Sequence, residues 1–251
     1  MSLIVDLQIT SGHVDWSHLR DTAQWADEQD FGALWIVDHL AGKSMGGEAS
    51  FEAFSWLGAL AASTSRIELG SLVLNVWNRS VGVSVVGAAT VAAISGRRFW
   101  FGIGAGTSPS SSFAWDQNVV GAPIAERLED RHDRVIEVLS LADRMWNSNV
   151  DDFDTFLRPP HRPVVILGVN SVRLATIAGN QADGVNIAWN HPRRQEFIDA
   201  TLAACGSRRF ELTTYLPWSP ELEDPESRIR HEMEAVGISR LILLHAGVPP
   251  R

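Results

Sequence analysis

The chain has 251 residues, 45% hydrophobic and 20% charged, the balance of a globular protein able to bury a sizeable core, and its formal charge of −9 removes the basic footprint that nucleic acid or an anionic membrane surface requires. One cysteine, Cys205, excludes an intramolecular disulfide and the thiolate clusters of structural metal sites. No basic leader opens the chain and no run reaches the roughly 18 uncharged apolar residues of a membrane span, so a cytoplasmic protein acting on a small-molecule substrate is expected.

In chain order, short runs rich in β-branched and aromatic residues alternate with segments of helical period, the pattern of repeated βα units. The first run, residues 3–8, precedes an amphipathic helix with Trp16, Leu19, Ala23 and Ala26 on one face and Asp15 as its cap. The second, 33–37, contains Trp35 and runs into Asp38-His39. A helix carrying Phe54, Leu57, Leu60 and Ala61 leads to the third, 67–74, where Gly70-Ser71 interrupts an apolar strand and Trp77 and Arg79 follow. The fourth, 99–103, opens into Gly102-Ile103-Gly104-Ala105-Gly106 and a non-periodic Ser/Pro-rich stretch, 104–123, that contains Ser110. After a helix over 127–146, the runs 164–168, 184–188, 210–216 and 240–244 complete a set of eight.

Eight strands in this length predict a (β/α)8 TIM barrel, one domain over residues 1–251 that lacks its last helix because few residues follow the eighth strand. The barrel wall left bare there is expected to be covered in a homodimer. An open doubly wound sheet is the competing architecture, but it places a Gly-rich phosphate loop after the first strand, where this chain has only Gly12.

Active sites of such barrels are built at the C-terminal ends of the strands, the expected place of Asp38-His39. Histidine titrates near neutral pH and can exchange a proton with a substrate hydroxyl or carbonyl; the competing reading makes Asp38 a turn cap and His39 an ordinary loop residue. His191 and His245 fall at similar rims. Gly70-Ser71 reads either as a bulge where a flat ligand approaches the backbone or as small residues fitted to a crowded interior. The glycine run at 102–106 has the wrong spacing for a dinucleotide fingerprint, yet bare backbone there could admit a ring system. Trp35, Trp77 and Trp189 stand at predicted strand ends as candidate walls of a substrate pocket. No metal is expected, since the eight histidines lack ligand spacing.

Taken in series, Phe31-Gly32-Ala33-Leu34-Trp35-Ile36-Val37-Asp38-His39, Arg66-Ile67-Glu68-Leu69-Gly70, Ile94-Ser95-Gly96-Arg97-Arg98-Phe99 with Gly102 to Gly106, Val164 to Gly168, Ala182-Asp183-Gly184 and Gly237-Ile238-Ser239-Arg240-Leu241 resemble the luciferase-like monooxygenase superfamily, especially its F420-dependent branch. The resemblance implies an oxidoreductase whose cofactor, coenzyme F420 or alternatively FMN, lies over the barrel mouth. By it, Asp38 and His39 would face ring and substrate, Ser71 and Leu72 would underlie the ring, and Gly104, Gly106 and Ser110 would flank it. Gly168, Asn170 and Ser171, at a helix start with free N–H groups, would take the phosphate. The Ser71–Leu72 peptide is expected to be a non-proline cis bond or a bulge at the floor of the ring site. The chain departs from the family's pattern at Val169-Asn170, where a second glycine is common, and at Arg79-Ser80-Val81, where proline often closely follows the arginine. Hydride transfer with F420 is the leading expectation, an FMN-dependent monooxygenase and a cofactor-poor binding protein on the same barrel the alternatives.

Overall fold

Each apolar run becomes a strand because its β-branched and aromatic side chains pack on both sides of a parallel sheet, where alternation with polar residues disappears. In the computed structural model, which describes residues 3–12, 15–146 and 151–245, the strands are β1 (Ile4–Ile9), β2 (Ala33–Ile36), β3 (Glu68–Ser71), β4 (Leu74–Asn75), β5 (Phe99–Gly104), β6 (Val164–Val169), β7 (Gly184–Ala188), β8 (Glu211–Pro217) and β9 (Arg240–Leu244). Every pairing is parallel, and β1 joins both β2 and β9 while β3 joins β5, so the sheet closes on itself. This is the expected barrel of eight strand positions, with β3 and β4 two pieces of the third.

The break between those pieces has a register. Gly70 pairs with Trp100 and Leu74 with Ile103, so four steps on the third strand oppose three on β5, the signature of a bulge. The cis peptide lies at Leu72–Val73, one bond later than the sequence suggests. The reason is the ladder: Leu72 N–H still donates to the Ile36 carbonyl of β2 at 2.7 Å, which keeps the Ser71–Leu72 peptide in regular pairing.

Helices α1 (Trp16–Glu28), α2 (Ala53–Ser63), α3 (Val81–Ser95), α4 (Trp115–Val120), α5 (Leu128–Trp146), α6 (Val172–Gln181), α7 (Arg194–Cys205) and α8 (Arg228–Ala235) surround the strands or fill their connections. Asp15 caps α1 as expected, accepting His18 N–H at 2.9 Å, and Leu19, Thr22, Ala23 and Ala26 form its buried stripe. The stretch 104–123, read from sequence as irregular, contains α4, a short helix hidden behind serines and a proline. The tail on which the expectation of a missing last helix rests, 246–251, lies outside the described residues.

The N-terminal end of the barrel is plugged by a polar cluster. Asp6 of β1 is fully buried and receives Arg240 Nη1 at 2.7 and 2.8 Å, while Arg240 Nη2 reaches Glu68 at 2.9 Å. Trp35 Nε1 donates to Asp6 at 2.9 Å and Trp100 Nε1 to Glu68 at 2.7 Å, and the Arg240 guanidinium stacks 4.3 Å from the Trp100 ring. This corrects the placement of Trp35: it is 0% exposed, part of the barrel's plug and no wall of a pocket. Gly70, opposite it in register, gives the ring its room, for an added Cβ would meet the Trp35 ring at 2.5 Å.

Candidate active site

At the opposite rim the strand ends surround a cavity of about 740 Å³, within the range of small-molecule and cofactor pockets. Of the residues singled out from sequence, Asp38, His39, Leu72, Gly104, Gly106, Gly168 and Asn170 line it. Ser71 does not. It is fully buried one layer below, with Oγ donating to the Gly102 carbonyl at 2.8 Å. Ser110 is exposed beside the rim, 3.1 Å from Ser108 Oγ. Ser171 lies behind the lining as the cap of α6, accepting Leu174 N–H at 3.3 Å. Trp77 packs beneath Gly106, and Trp189 lies under the Arg194 guanidinium at 4.5 Å, so neither forms a cavity wall.

The glycine run serves the protein before any ligand. A side chain at Gly104 would strike Val73 at 2.6 Å, and Gly168 leaves room for the same valine at 3.0 Å. Val73, turned inward after the cis bond, therefore occupies the space the glycines leave, and Leu72-Val73 is the floor. Gly106 is required twice over: its φ is +84°, and an added Cβ would meet Trp77 at 2.6 Å and Asn75 Oδ1 at 2.8 Å. Gly106→Ala is expected to lower unfolding stability by about 1–3 kcal/mol and to displace the adjoining loop. Denaturant unfolding checks it; a loss below about 0.5 kcal/mol, the scale of an ordinary surface change, would show that the loop can adapt.

Asp38 and His39 are adjacent in sequence but differently employed. Four donors converge on the buried Asp38 carboxylate: both Arg79 Nη atoms at 2.8 Å, Asn75 N–H at 3.0 Å and Asn78 Nδ2 at 3.2 Å. Arg79 also bonds Glu52, the cap of α2, so the carboxylate anchors the loop after β4 to α2. His39 is partly exposed toward the cavity, its Nδ1 3.5 Å from Asp116 of α4 and its ring 5.5 Å from Phe113. Among the three rim histidines, it alone lines the cavity. His191 accepts Arg193 N–H and packs on Phe197, and His245 stacks on Trp218, where burial pushes its pKa down.

Sequence reasoning missed several lining groups. Gln8, Asn186 and Tyr215 project from β1, β7 and β8. Asn186, the one polar residue of its strand, was the available signal; it donates to Thr213 Oγ1 at 2.8 Å. Burial raises the Tyr215 phenol above its ordinary value, so it remains protonated and able to donate. Arg131 comes from α5 and lines the cavity together with Gly168 and Asn170, its Nε buried without a partner among the described residues. An orphaned guanidinium N–H near the α6 N-terminus is what an anionic group would satisfy. The apolar floor of Leu72 and Val73, this cation and the helix start together fit a ring-bearing cofactor with a phosphate end.

Comparison with known proteins identifies the family and the fold. The sequence profile of a family described as luciferase-like monooxygenase matches residues 4–213. A 5,10-methylenetetrahydromethanopterin reductase of Archaeoglobus fulgidus is 25% identical over 90% of this chain and 65% of its own. An F420-dependent glucose-6-phosphate dehydrogenase of Nakamurella multipartita is 29% identical over 67% of this chain and 51% of its own. The chain thus spans about half to two thirds of the length of these relatives. Among solved structures, an F420-dependent secondary alcohol dehydrogenase superposes with a TM-score of 0.75 at 14% identity, covering 97% of this chain and 93% of that one. A monooxygenase from Streptomyces bottropensis superposes at 0.71 with 16% identity, covering 99% and 94%. At such identities the structures establish the shared barrel.

Proposed function

The chain belongs to the luciferase-like monooxygenase family, and from that premise we propose that it is an F420-dependent oxidoreductase acting on a small organic alcohol or carbonyl compound. When bound, the deazaflavin supplies the two-electron hydride chemistry, which no side chain can provide. The observation that carries the reading is the cavity itself: an apolar floor at Leu72-Val73 beside Gly104 to Gly106, an arginine in the lining whose Nε has no partner among the described residues, and a single rim histidine in its wall. Arg131 and the first turn of α6 would hold the phosphate end, which supplies the charge the altered loop at Val169-Asn170 does not. His39 moves the proton at the substrate oxygen. Asp38 braces the loop that carries Asn75 and Asn78, and Tyr215 and Asn186 offer donors to orient the substrate. No helix among the described residues is long and apolar enough to cross a membrane. A homodimer would find an apolar face in α3, which has no charged residue and exposes Val83 and Ile94.

The test is titration of the purified protein with F420 and, separately, with FMN, followed by reduction of F420 with propan-2-ol or glucose 6-phosphate as hydride donor. Binding of F420 with micromolar or tighter affinity, weakened at least about tenfold by Arg131→Ala, is the expected result, since a charge-assisted contact contributes about 1.5–3 kcal/mol. Binding of FMN alone would favour the monooxygenase reading, and binding of neither would leave a cofactor-poor binding protein on the same barrel.

A further inference from the structure

Asp116 sits in the first turn of α4, within the loop that follows β5, and its side chain is only 3% exposed. A carboxylate withdrawn from water persists where donors replace its hydration. Two are backbone groups: Leu40 N–H reaches Oδ2 at 3.0 Å and Gln117 N–H reaches Oδ1 at 2.9 Å. The third neighbour is the His39 imidazole, with Nδ1 3.5 Å from that same Oδ2. One carboxylate oxygen therefore grips the chain immediately after His39 and also faces the ring of His39. Phe113, on the same loop as Asp116, packs against the ring and limits its rotation. His39 Nε2 has no protein partner among the described residues, and the residue lines the cavity.

Resting on His39 as the proton-transfer group, we propose that Asp116 is its positioning residue: the carboxylate keeps a proton on Nδ1, so that Nε2 is the atom presented to the substrate oxygen. An acceptor at Nδ1 selects the Nδ1–H tautomer, and a neutral imidazole then carries its lone pair on Nε2. When Nε2 takes the proton from a substrate hydroxyl, the O–H bond breaks, an N–H bond forms, and the imidazolium is stabilised by the buried anion behind it. The return step reverses this at the same atom. The 3.5 Å separation is longer than an aligned hydrogen bond, and catalytic hydrogen bonds are commonly long in ligand-free sites. No local sequence signal joins the two residues, because they come from different βα loops.

The deciding experiment is nitrogen-15 NMR of the His39 ring in the full chain without cofactor, comparing the wild type with Asp116→Asn and Asp116→Glu. Asparagine keeps the volume and an oxygen that can accept Leu40 N–H, so the loop contact survives while the charge is lost. The wild type is expected to show Nδ1 protonated and Nε2 bare. In Asp116→Asn the populations should move toward the Nε2–H form, with turnover of the active hydride donor falling roughly 10- to 100-fold and F420 affinity little changed. Glutamate should restore the wild-type ring pattern at least in part. A ring pattern identical in the wild type and Asp116→Asn, or a wild type already in the Nε2–H form, makes Asp116 a brace for the loop and overturns the proposal. If the ring pattern shifts as expected but His39→Ala still turns over at the wild-type rate, the reading of His39 is what fails, and the pair has no catalytic role.

Discussion

Replacing His39 with alanine is expected to lower turnover roughly 100-fold or more while F420 affinity changes little, the range for loss of a general acid–base group. His39 meets the geometric requirement for that role, since it lines the cavity and its Nε2 has no protein partner among the described residues. The side chain lies in a loop and is 27% exposed, so truncation opens no buried void and the fold should survive. His245→Ala is the control. That ring stacks on Trp218 away from the cavity lining, and burial lowers its pKa, so its loss should reduce stability slightly and turnover much less than His39→Ala. Steady-state kinetics and cofactor titration on both variants decide the matter; normal turnover by His39→Ala with cofactor bound would assign the proton to another group, Tyr215 foremost.

The largest loss of stability is expected at the other end of the barrel. Arg240→Met removes the cation that two carboxylates share, leaving Asp6 fully buried with the Trp35 N–H as its one remaining side-chain donor among the described residues. Breaking a buried ion pair in this way costs about 3–5 kcal/mol. The cost should depend on pH in a definite direction. Burial, only partly offset by Arg240, pushes Asp6 from 3.8 up to about 6, so the native state holds this proton more tightly than the unfolded chain does. A raised carboxylate pKa means that its contribution to stability falls as pH rises from about 4 to about 6 and is level above that. Without Arg240 the pKa rises further and the falling window extends to higher pH. The deficit of Arg240→Met relative to the wild type should therefore be larger at pH 7.5 than at pH 5, measured by denaturant unfolding. A deficit that shrinks toward neutral pH would contradict this account of the cluster.

Much of the barrel was legible in the sequence, because what makes a strand or a capped helix is local. The run 184–188 and its observed counterpart coincide, as do 240–244 and theirs, and Asp15 caps α1 through a bond three residues away. Local signals also placed His39 at the rim, since a βα repeat determines which end of each strand faces the active side. The misplaced residues share a different cause. Trp35 was assigned to the mouth because it stands near a strand end, yet which barrel layer a large side chain fills depends on the strands beside it: Gly70, opposite in register, vacates the space, and Asp6, 29 residues away, receives its N–H. Gly104 read as part of an opening for a ligand ring and Gly168 as part of a phosphate site, yet Val73, arriving from the broken third strand, fills the space beside both.

By itself, then, the sequence determined the strand order, the Asp15 helix cap and the placing of His39 at the rim, properties set by residues within a few turns of one another, and the family through a series of such segments. Only the tertiary structure decided which groups converge on the cavity. Arg131 lies on a helix surface where periodicity predicts a solvated charge, and Asp116 lies in a stretch without periodicity at all. Both meet residues more than 35 positions distant, Arg131 sharing the cavity lining with Gly168 and Asp116 standing 3.5 Å from His39. Contacts of that separation come from closing the barrel, and no pattern of spacing within a single segment encodes them.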